Sequence, residues 1–209
     1  MANSDNTASA SPPLVNQAGR LIREAALWVL LAVAAFLLLA LVTYDQSDPG
    51  WSYSTNADFI RNVGGVAGAY FADIALYLFG YLAYLFPVLI VLLALLAYRW
   101  HRRAEAFNWT VFGVRFAGFV ATVIAGCTLA TLHVEPVPGT IPLSATSGGV
   151  LGTVLAGALG AAFNFLGATL LSLAVFLAGI TLFTGLSWLK LMDWTGRGVL
   201  ALVAYGGRK

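Results

Sequence analysis

The chain has 209 residues, of which 60% are hydrophobic and only 10% are charged, and its mean hydropathy is +0.85. Soluble globular chains carry roughly 25% charged residues, so this composition indicates an integral membrane protein. The formal net charge of +2 is too small for the broad basic face that binds nucleic acid.

The polar residue types also exclude several kinds of site. Cys127 is the single cysteine, and His101 and His133 are the two histidines. The chain therefore has too few cysteines for a disulfide framework and too few ligands for a Cys/His metal site. Lys190 and Lys209 do not follow a glycine, which excludes a Walker loop. We therefore expect no catalytic, cofactor-binding or metal site in this chain.

The N-terminal part predicts a membrane anchor. Residues 1–19 are expected to form a flexible cytoplasmic tail. Residues 25–44 carry no charge, and twenty such residues make a helix of about 30 Å, the thickness of a hydrocarbon core. The run is longer than the apolar part of a signal peptide and follows a 24-residue polar lead, so we expect it to remain uncleaved.

Three further spans are predicted within a membrane domain that covers residues 20–205. They lie at about 74–98, 113–132 and 163–188. Pro87 is expected to kink the second span, and Arg115 to extend its guanidinium from the third span to the interface. The predicted exterior loops are 45–73 and 133–162, the cytoplasmic loop is 99–112, and 206–209 begin a linker.

The basic residues predict the orientation of these spans. Ten lysines and arginines fall on the side that holds both termini, and Arg61 alone falls on the other side. Because loop lysines and arginines favour the cytoplasm, both termini are predicted to be cytoplasmic.

A glycine motif occurs twice. Residues 64–69 (GGVAGA) recur 84 residues later as 148–153 (GGVLGT). This indicates two halves, each with an outward span, an exterior loop, a short Gly-rich helix and an inward span, although 22 glycines also allow a coincidence. The short helix at 150–162 has too few residues to cross the bilayer and is expected on or partly in the membrane.

Small residues and tyrosines are the candidates for helix packing. Gly-xxx-Gly spacings let helix backbones approach closely in lipid. The spacing of Tyr70, Tyr77, Tyr81 and Tyr84 predicts one shared helical face. Helix packing or an oligomer seam is therefore predicted for Gly64, Gly65, Gly68, Gly148, Gly149, Gly152, Tyr77, Gly80, Tyr81, Tyr84, Gly118 and Gly126.

Charged residues near the spans have two interpretations. Asp73 and Arg115 are the ionisable residues closest to the bilayer core. They are interpreted either as a helix N-terminal carboxylate and an interfacial arginine, or as the lining of a transport path. Arg99, Arg102 and Arg103 are predicted to bind anionic lipid headgroups. Apolar residues opposite Lys190, Asp193 and Arg197 predict a C-terminal interfacial helix.

Four segments carry a family resemblance. They are 44–52 (YDQSDPGWS), 62–69 with Ala72 and Asp73, 147–150 (SGGV) and 182–188 (LFTGLSW). Together they resemble the N-terminal four-helix membrane region of the FtsK/SpoIIIE bacterial DNA translocases, over about residues 20–205. The resemblance implies an all-α integral membrane fold with four transmembrane helices, two short Gly-rich exterior-side helices and a C-terminal interfacial helix.

The resemblance also implies a role. The segment would be a non-enzymatic inner-membrane anchor at the division septum that supports divisome assembly and tethers a hexameric, ATP-driven chromosome-segregation motor. ATP, magnesium and DNA would be bound beyond residue 209. Asp45, Asp48, Pro49 and Trp51 are expected to form an exterior surface for divisome membrane proteins. A transporter or channel subunit and an oligomerising accessory protein are the alternatives.

Overall fold

A computed structural model describes residues 13–52, 59–100, 109–185, 192–193 and 195–197. Within these ranges the chain contains helices and no strand. The helices are α1 Pro13–Val42, α2 Gly65–Phe79, a 3-10 helix Gly80–Tyr84, α3 Leu85–Trp100, α4 Trp109–His133 and α5 Gly149–Thr184. Four segments are long and apolar enough to cross a membrane, namely Leu21–Val42, Gly65–Leu95, Trp109–His133 and Gly149–Thr184. The predicted all-α fold with four spans is confirmed.

The helices form two antiparallel pairs. α3 returns along α1, and the Tyr84 hydroxyl just before α3 donates to the carbonyl of Leu41 near the end of α1. α5 returns along α4, since His133 at the end of α4 bonds Thr169 and Gly118 near its beginning faces Gly179. Much of the surface of each span is not covered by other parts of the chain. Because the helices are apolar, these surfaces are suited to contact with lipid.

The second and fourth spans are interrupted. α2 ends where Gly80 adopts φ 55°, and α5 is broken at Asn164, which has φ 58° and ψ 177°. Pro87 lies in the first turn of α3, where its missing N–H is tolerated. The interruption expected at Pro87 therefore lies at Gly80, within the predicted span 74–98.

The break leaves enough helix to cross the bilayer. α2 has 15 residues, or about 22 Å, and is too short to span it alone. The 3-10 helix and α3 together reach about 34 Å from Gly80 to Trp100. In α5, the helical residues after Asn164 extend to Thr184, about 30 Å. Each interrupted helix thus contains a short segment followed by a span.

The repeat in the sequence is a repeat in the backbone. Gly65 and Gly149 begin α2 and α5 with φ of 63° and 65°. Gly80 and Asn164, which are separated by the same 84 residues, adopt φ of 55° and 58°. Six of the described residues have positive φ, and four of these six form two pairs at the offset of 84, so the backbone supports the repeat against a coincidence.

Both connecting loops turn back into the helical layer. Gly64 lies against Phe36, six residues before the end of α1, and Gly148 lies against Cys127, six residues before the end of α4. Each glycine pair therefore lies against the outgoing helix of its own half, where it starts the short helical segment.

The second loop covers the first half of the chain. Ile141 is buried in one cluster with residues of α1, α2 and the 3-10 helix, namely Leu41, Ala72, Ala75, Leu76 and Ala83. This cluster is the principal core among the described residues. The loop from the second half thus fixes the position of the first break.

Several predictions fall outside the description. Arg102, Arg103, residues 1–12 and residues 206–209 are among the undescribed positions, and nothing is described of the Arg99 side chain. Of the predicted interfacial helix, residues 192–193 and 195–197 are helical. The orientation of the termini and the membrane depth of residues 65–79 and 149–163 stay predictions.

Candidate functional site: the loop side and the helix contacts beneath it

Gly118 and Gly126 of α4 lie in two different helix contacts. A Cβ on Gly118 would lie 2.5 Å from the Phe183 nitrogen and 2.9 Å from the Gly179 carbonyl oxygen of α5. A Cβ on Gly126 would lie 2.9 Å from the Leu82 Cδ1 atom of the 3-10 helix. Gly118 therefore requires glycine for a backbone approach, whereas at Gly126 the neighbouring atom is the end of a flexible side chain.

The first and last glycines of each motif contact the outgoing helix of their own half. A Cβ on Gly68 would stand 3.3 Å from the Ala40 Cβ of α1. A Cβ on Gly148 or Gly152 would overlap the Cys127 carbonyl oxygen of α4. The Gly-xxx-Gly spacing therefore serves a contact within each half.

Gly80 and Gly149 join the two halves. A Cβ on Gly80 would overlap the Ser147 carbonyl oxygen, and a Cβ on Gly149 would overlap the Leu78 carbonyl oxygen. The Tyr81 N–H donates a 2.8 Å hydrogen bond to the Ser147 carbonyl. Ser147 is fully buried and its hydroxyl donates to the Val134 carbonyl at 2.6 Å. Two backbones thus meet without side chains between them.

Gly65 differs from its counterpart Gly149. No atom lies within 4 Å of the place where its Cβ would stand. Its φ of 63° still disfavours other residues. Among the described residues no close contact forms at the Gly65 Cβ position, which does not support Gly65 as a close-packing residue within the chain; an oligomer seam at Gly65 stays a prediction.

The tyrosines do not share one face, because the helix breaks at Gly80. Tyr77 lies in α2 and meets the Trp51 ring edge to face at 5.6 Å. The Tyr81 hydroxyl bonds the Thr140 hydroxyl at 2.8 Å and accepts from the Val137 N–H at 2.9 Å. Tyr84 donates to Leu41, while Tyr70 is exposed. Three members of the predicted stripe thus have different partners: Tyr77 and Tyr81 contact the loops, and Tyr84 contacts α1.

Asp48 is not part of an exposed partner surface. Its side chain is only 3% exposed. Its two carboxylate oxygens accept from the backbone N–H groups of Arg61 and Asn62, at 2.7 and 2.8 Å. Asp48 therefore closes the first loop, which corrects the predicted role.

The other members of that predicted surface remain accessible. Trp51 is 62% exposed and Pro49 is half-buried. Asp45 pairs with Arg61 at 3.2 Å and accepts from the Ser47 hydroxyl at 2.6 Å. The hydrogen bonds from Ser47, together with Arg61, lower the pKa of Asp45. A stable negative charge and an exposed indole are therefore presented on the loop side.

Asp73 is occupied by the protein's own loop. The carboxylate is 1% exposed and accepts from the Ser52 N–H at 2.6 Å and the Ser52 hydroxyl at 2.7 Å. The Tyr44 hydroxyl is a third donor at 3.4 Å, and Gly50 lies close against the carboxylate. These partners hold the first loop on α2. The Asp73 carboxylate therefore makes a structural contact and does not line an open transport path.

Asn62 is a central residue that sequence reasoning did not select. It is buried, its amide donates to the Ala40 carbonyl at 2.7 Å, and its side-chain oxygen accepts from the Gly64 N–H at 2.8 Å. It therefore links the end of α1 to the start of α2. Its position two residues before the Gly64-Gly65 pair was the available signal, since asparagine commonly bonds the backbone two residues on.

Gln46 was also missed. Its amide donates to the Ile141 carbonyl at 2.6 Å, so it ties the first loop to the second. No local pattern indicates a contact between residues so distant in sequence.

The fold and these contacts can now be compared with known proteins. The model of the 4TM region of DNA translocase FtsK/SpoIIIE matches residues 19–196. The chain belongs to this family. It is 42% identical over 205 residues to a DNA translocase FtsK of Pseudomonas syringae pv. syringae, covering 97% of this chain and 25% of that protein.

Other FtsK relatives agree. A DNA translocase FtsK of Pseudomonas putida is 42% identical over 87% of this chain and 21% of its own length. One from Vibrio vulnificus is 36% identical over 84% of this chain and 17% of its length. The chain thus spans about a quarter or less of these FtsK proteins. No solved structure matches it.

Family membership and the four spans make this chain a multi-pass membrane region of the FtsK/SpoIIIE family, which lies in a lipid bilayer.

Proposed function

We propose that this FtsK 4TM region anchors a septal DNA translocase in the bacterial inner membrane, supports divisome assembly and tethers the ATP-driven motor of a longer protein. The family match over residues 19–196 is the observation that carries this proposal. The partners proposed are the bilayer, other divisome membrane proteins and further copies of the chain, expected as a hexamer. DNA, ATP and magnesium would be bound by the motor.

The packing supports an anchor more than a transporter. Asp73, the charged residue that could have lined a path, is buried against Ser52 and Tyr44 of its own loop. The close glycine contacts at Gly80, Gly118 and Gly149 leave backbone directly against backbone. Tightly packed helices with loop-side residues held in place are suited to presenting a surface to other proteins.

The loop side is the surface proposed for divisome partners. Trp51 and Pro49 are accessible there, next to the negative charge of Asp45. Aromatic side chains and a few charges are typical of protein interfaces.

The test is cell length after depletion of the full-length protein in its host, with residues 1–209 expressed from a second promoter. Restoration of short cells is expected, and it would show a septation role without the motor. Persistent filaments, with membrane insertion verified, would contradict that role. A Trp51→Ala variant should restore division less well, whereas Trp28→Ala, an equally exposed tryptophan on α1, should not differ from the unsubstituted chain.

A further inference from the structure

The contact that joins the two halves has two distinct sides. One side is the helix break at Gly80 and Tyr81, and the other is the segment from Ser147 to Gly149. Tyr81 donates to Ser147 across this contact at 2.8 Å. The contact is formed by backbone groups, so the local conformation matters more than the side chains.

The repeat provides a counterpart of each side. At the offset of 84 residues, the break corresponds to Asn164 and Phe165, and the Ser147–Gly149 segment corresponds to residues 63–65. The backbone conformations match, with positive φ at Asn164 as at Gly80 and at Gly65 as at Gly149. The chain therefore carries the same pair of surfaces a second time.

In the described part of the chain, the contacts of both counterparts lie within their own half: the Val63 N–H donates to the Thr43 hydroxyl at 3.1 Å, and the Phe165 ring meets the His133 ring edge to face at 5.1 Å. Val63 is 69% exposed, and no atom lies within 4 Å of the Cβ position of Gly65. Asn164 and Phe165 are exposed as well. By contrast, Ser147 and Gly80 in the formed contact are buried. One copy of the contact is closed and both sides of the other are open.

This asymmetry determines the kind of association that the surfaces can make. A two-fold relation between the halves would form the contact twice within the chain, once in each direction. The contact forms once. The first half is therefore related to the second half head to tail. When the same relation is applied once more, from the second half to the first half of another chain, the 63–65 segment of that chain lies at the Asn164 break.

The conformation of Asn164 is an independent observation. Its φ of 58° with ψ of 177° belongs to a region almost confined to glycine, and strained residues of this kind concentrate at functional contacts. Unlike Gly80, Asn164 has a side chain, so an incoming carbonyl must stay farther from its backbone. Its amide can then donate the bond that the Tyr81 N–H makes in the closed contact.

The neighbouring helix surface leaves room for such an approach. Gly157 and Gly160 lie on the segment that precedes Asn164, and no atom lies within 4 Å of the Cβ position of either residue. A second backbone could come close to this face, as Gly149 comes close to Leu78 in the closed contact.

We propose that the Asn164–Phe165 break binds residues 63–65 of a second copy of this chain, head to tail, in the manner in which Gly80–Tyr81 binds Ser147–Gly149 within one copy. This inference rests on the homo-oligomer of the proposed function and identifies the contact through which the copies meet.

Cysteine cross-linking between differently tagged chains tests the contact. One chain carries Val63→Cys and the other Asn164→Cys, and both are expressed together in membranes and treated with a thiol oxidant. A disulfide-linked heterodimer is expected only when both variants are present. Cys127 is fully buried, so the unsubstituted chain serves as the background control.

A matched control establishes specificity. Leu143 lies on the other loop and is 87% exposed. Leu143→Cys should cross-link with Asn164→Cys at least tenfold less than Val63→Cys does. Phe165→Cys repeats the test should Asn164→Cys lower the membrane yield. Equal cross-linking with Leu143→Cys, or self-cross-linking of Asn164→Cys alone, would overturn the head-to-tail contact.

The size of the complex separates this inference from the proposed function. Native mass measurement in mild detergent reports whether the chain is oligomeric. An oligomer without the 63–164 cross-link would overturn the contact and leave the homo-oligomer intact. A chain that stays monomeric in the membrane would overturn both, whereas the septal role is decided separately by cell length.

Discussion

The Tyr81 N–H donates to the Ser147 carbonyl at 2.8 Å, at a point where neither Gly80 nor Gly149 has a side chain to separate the two backbones. This hydrogen bond joins the break in the second span to the start of the fourth. It explains why the helix ends at Gly80: the N–H groups of the next turn need partners, and the second half supplies one.

Gly80→Ala and Gly149→Ala are expected to destabilise the fold. Each Cβ would overlap a backbone carbonyl oxygen, and each residue has positive φ. Overpacking costs about 1–3 kcal/mol, and the left-handed conformation adds about 1–2 kcal/mol. The measurement is the thermal unfolding temperature in detergent, with Gly157→Ala as a control that has open space at its Cβ. An equal effect of all three substitutions would contradict the close contact.

The two motif glycines should behave differently from each other. A Cβ at position 65 has open space among the described residues, so Gly65→Leu should cost mainly the strain of its φ, about 1–2 kcal/mol, whereas Gly149→Leu should cost more because it also displaces Leu78. Asp45→Ala, at a more accessible position, should have the smallest effect. Folded yield in membranes ranks the three variants, and equally small effects would refute the packing argument.

Asp73→Asn should loosen the first loop. The carboxylate now accepts from several donors, among them the Ser52 N–H and hydroxyl. The amide has only one acceptor oxygen, so its NH2 group would face one of these donors and leave that donor without an acceptor. Leaving a buried donor unpaired costs about 1–3 kcal/mol. Proteolysis of the loop around residues 53–58 in intact membranes should become faster. Asp193→Asn, an exposed acidic residue far along the chain, is the control. Unchanged cleavage of the loop would argue against Asp73 as its anchor.

Tyr81→Phe should weaken the link between the halves. It removes the bonds to the Thr140 hydroxyl and the Val137 N–H, each worth about 0.5–1.5 kcal/mol. Thermal unfolding should show the loss, and Tyr70→Phe at an exposed position should show none. If both variants unfold alike, the Tyr81 hydroxyl contributes nothing to stability.

The first loop should respond to acid through Asp45. Hydrogen bonds from Ser47 lower the pKa of Asp45 in the folded state. A carboxyl whose folded pKa lies below its unfolded value of 3.8 stabilises the fold above that value, and the contribution is lost as the pH falls through the folded pKa. The quantity to measure is the difference in Tm between the parent and Asp45→Asn from pH 6 downwards, roughly to pH 2, because groups common to both chains cancel in that difference. The difference should shrink in acid; a constant difference would contradict the linkage.

Hydropathy and the glycine motif made the four spans and the two-half organisation predictable. Partition into lipid depends on local composition, so the spans around Leu41 and Cys127 could be located without tertiary information. The position of the break within the span 74–98 was not predicted, because the break at Gly80 depends on a distant carbonyl. The tyrosine stripe failed for the same reason.

The loop residues show the other limit. Asp48 and Trp51 lie three residues apart in one polar loop, and their types alone suggested a common surface. Only the fold turns Asp48 towards the backbone of Arg61 and Asn62 while it leaves Trp51 exposed. A charged side chain is expected at the surface, where water solvates it. The burial of the Asp48 carboxylate is explained instead by the N–H donors that surround it.

The sequence by itself determined that this chain is a four-span member of the FtsK/SpoIIIE 4TM family, because apolar length and recurring motifs are local properties. The tertiary structure alone decided which glycines touch a backbone, where the helices break, and which copy of the repeated contact stays open. Those features depend on groups that are far apart in the chain and meet only after folding, as Gln46 and Ile141 do.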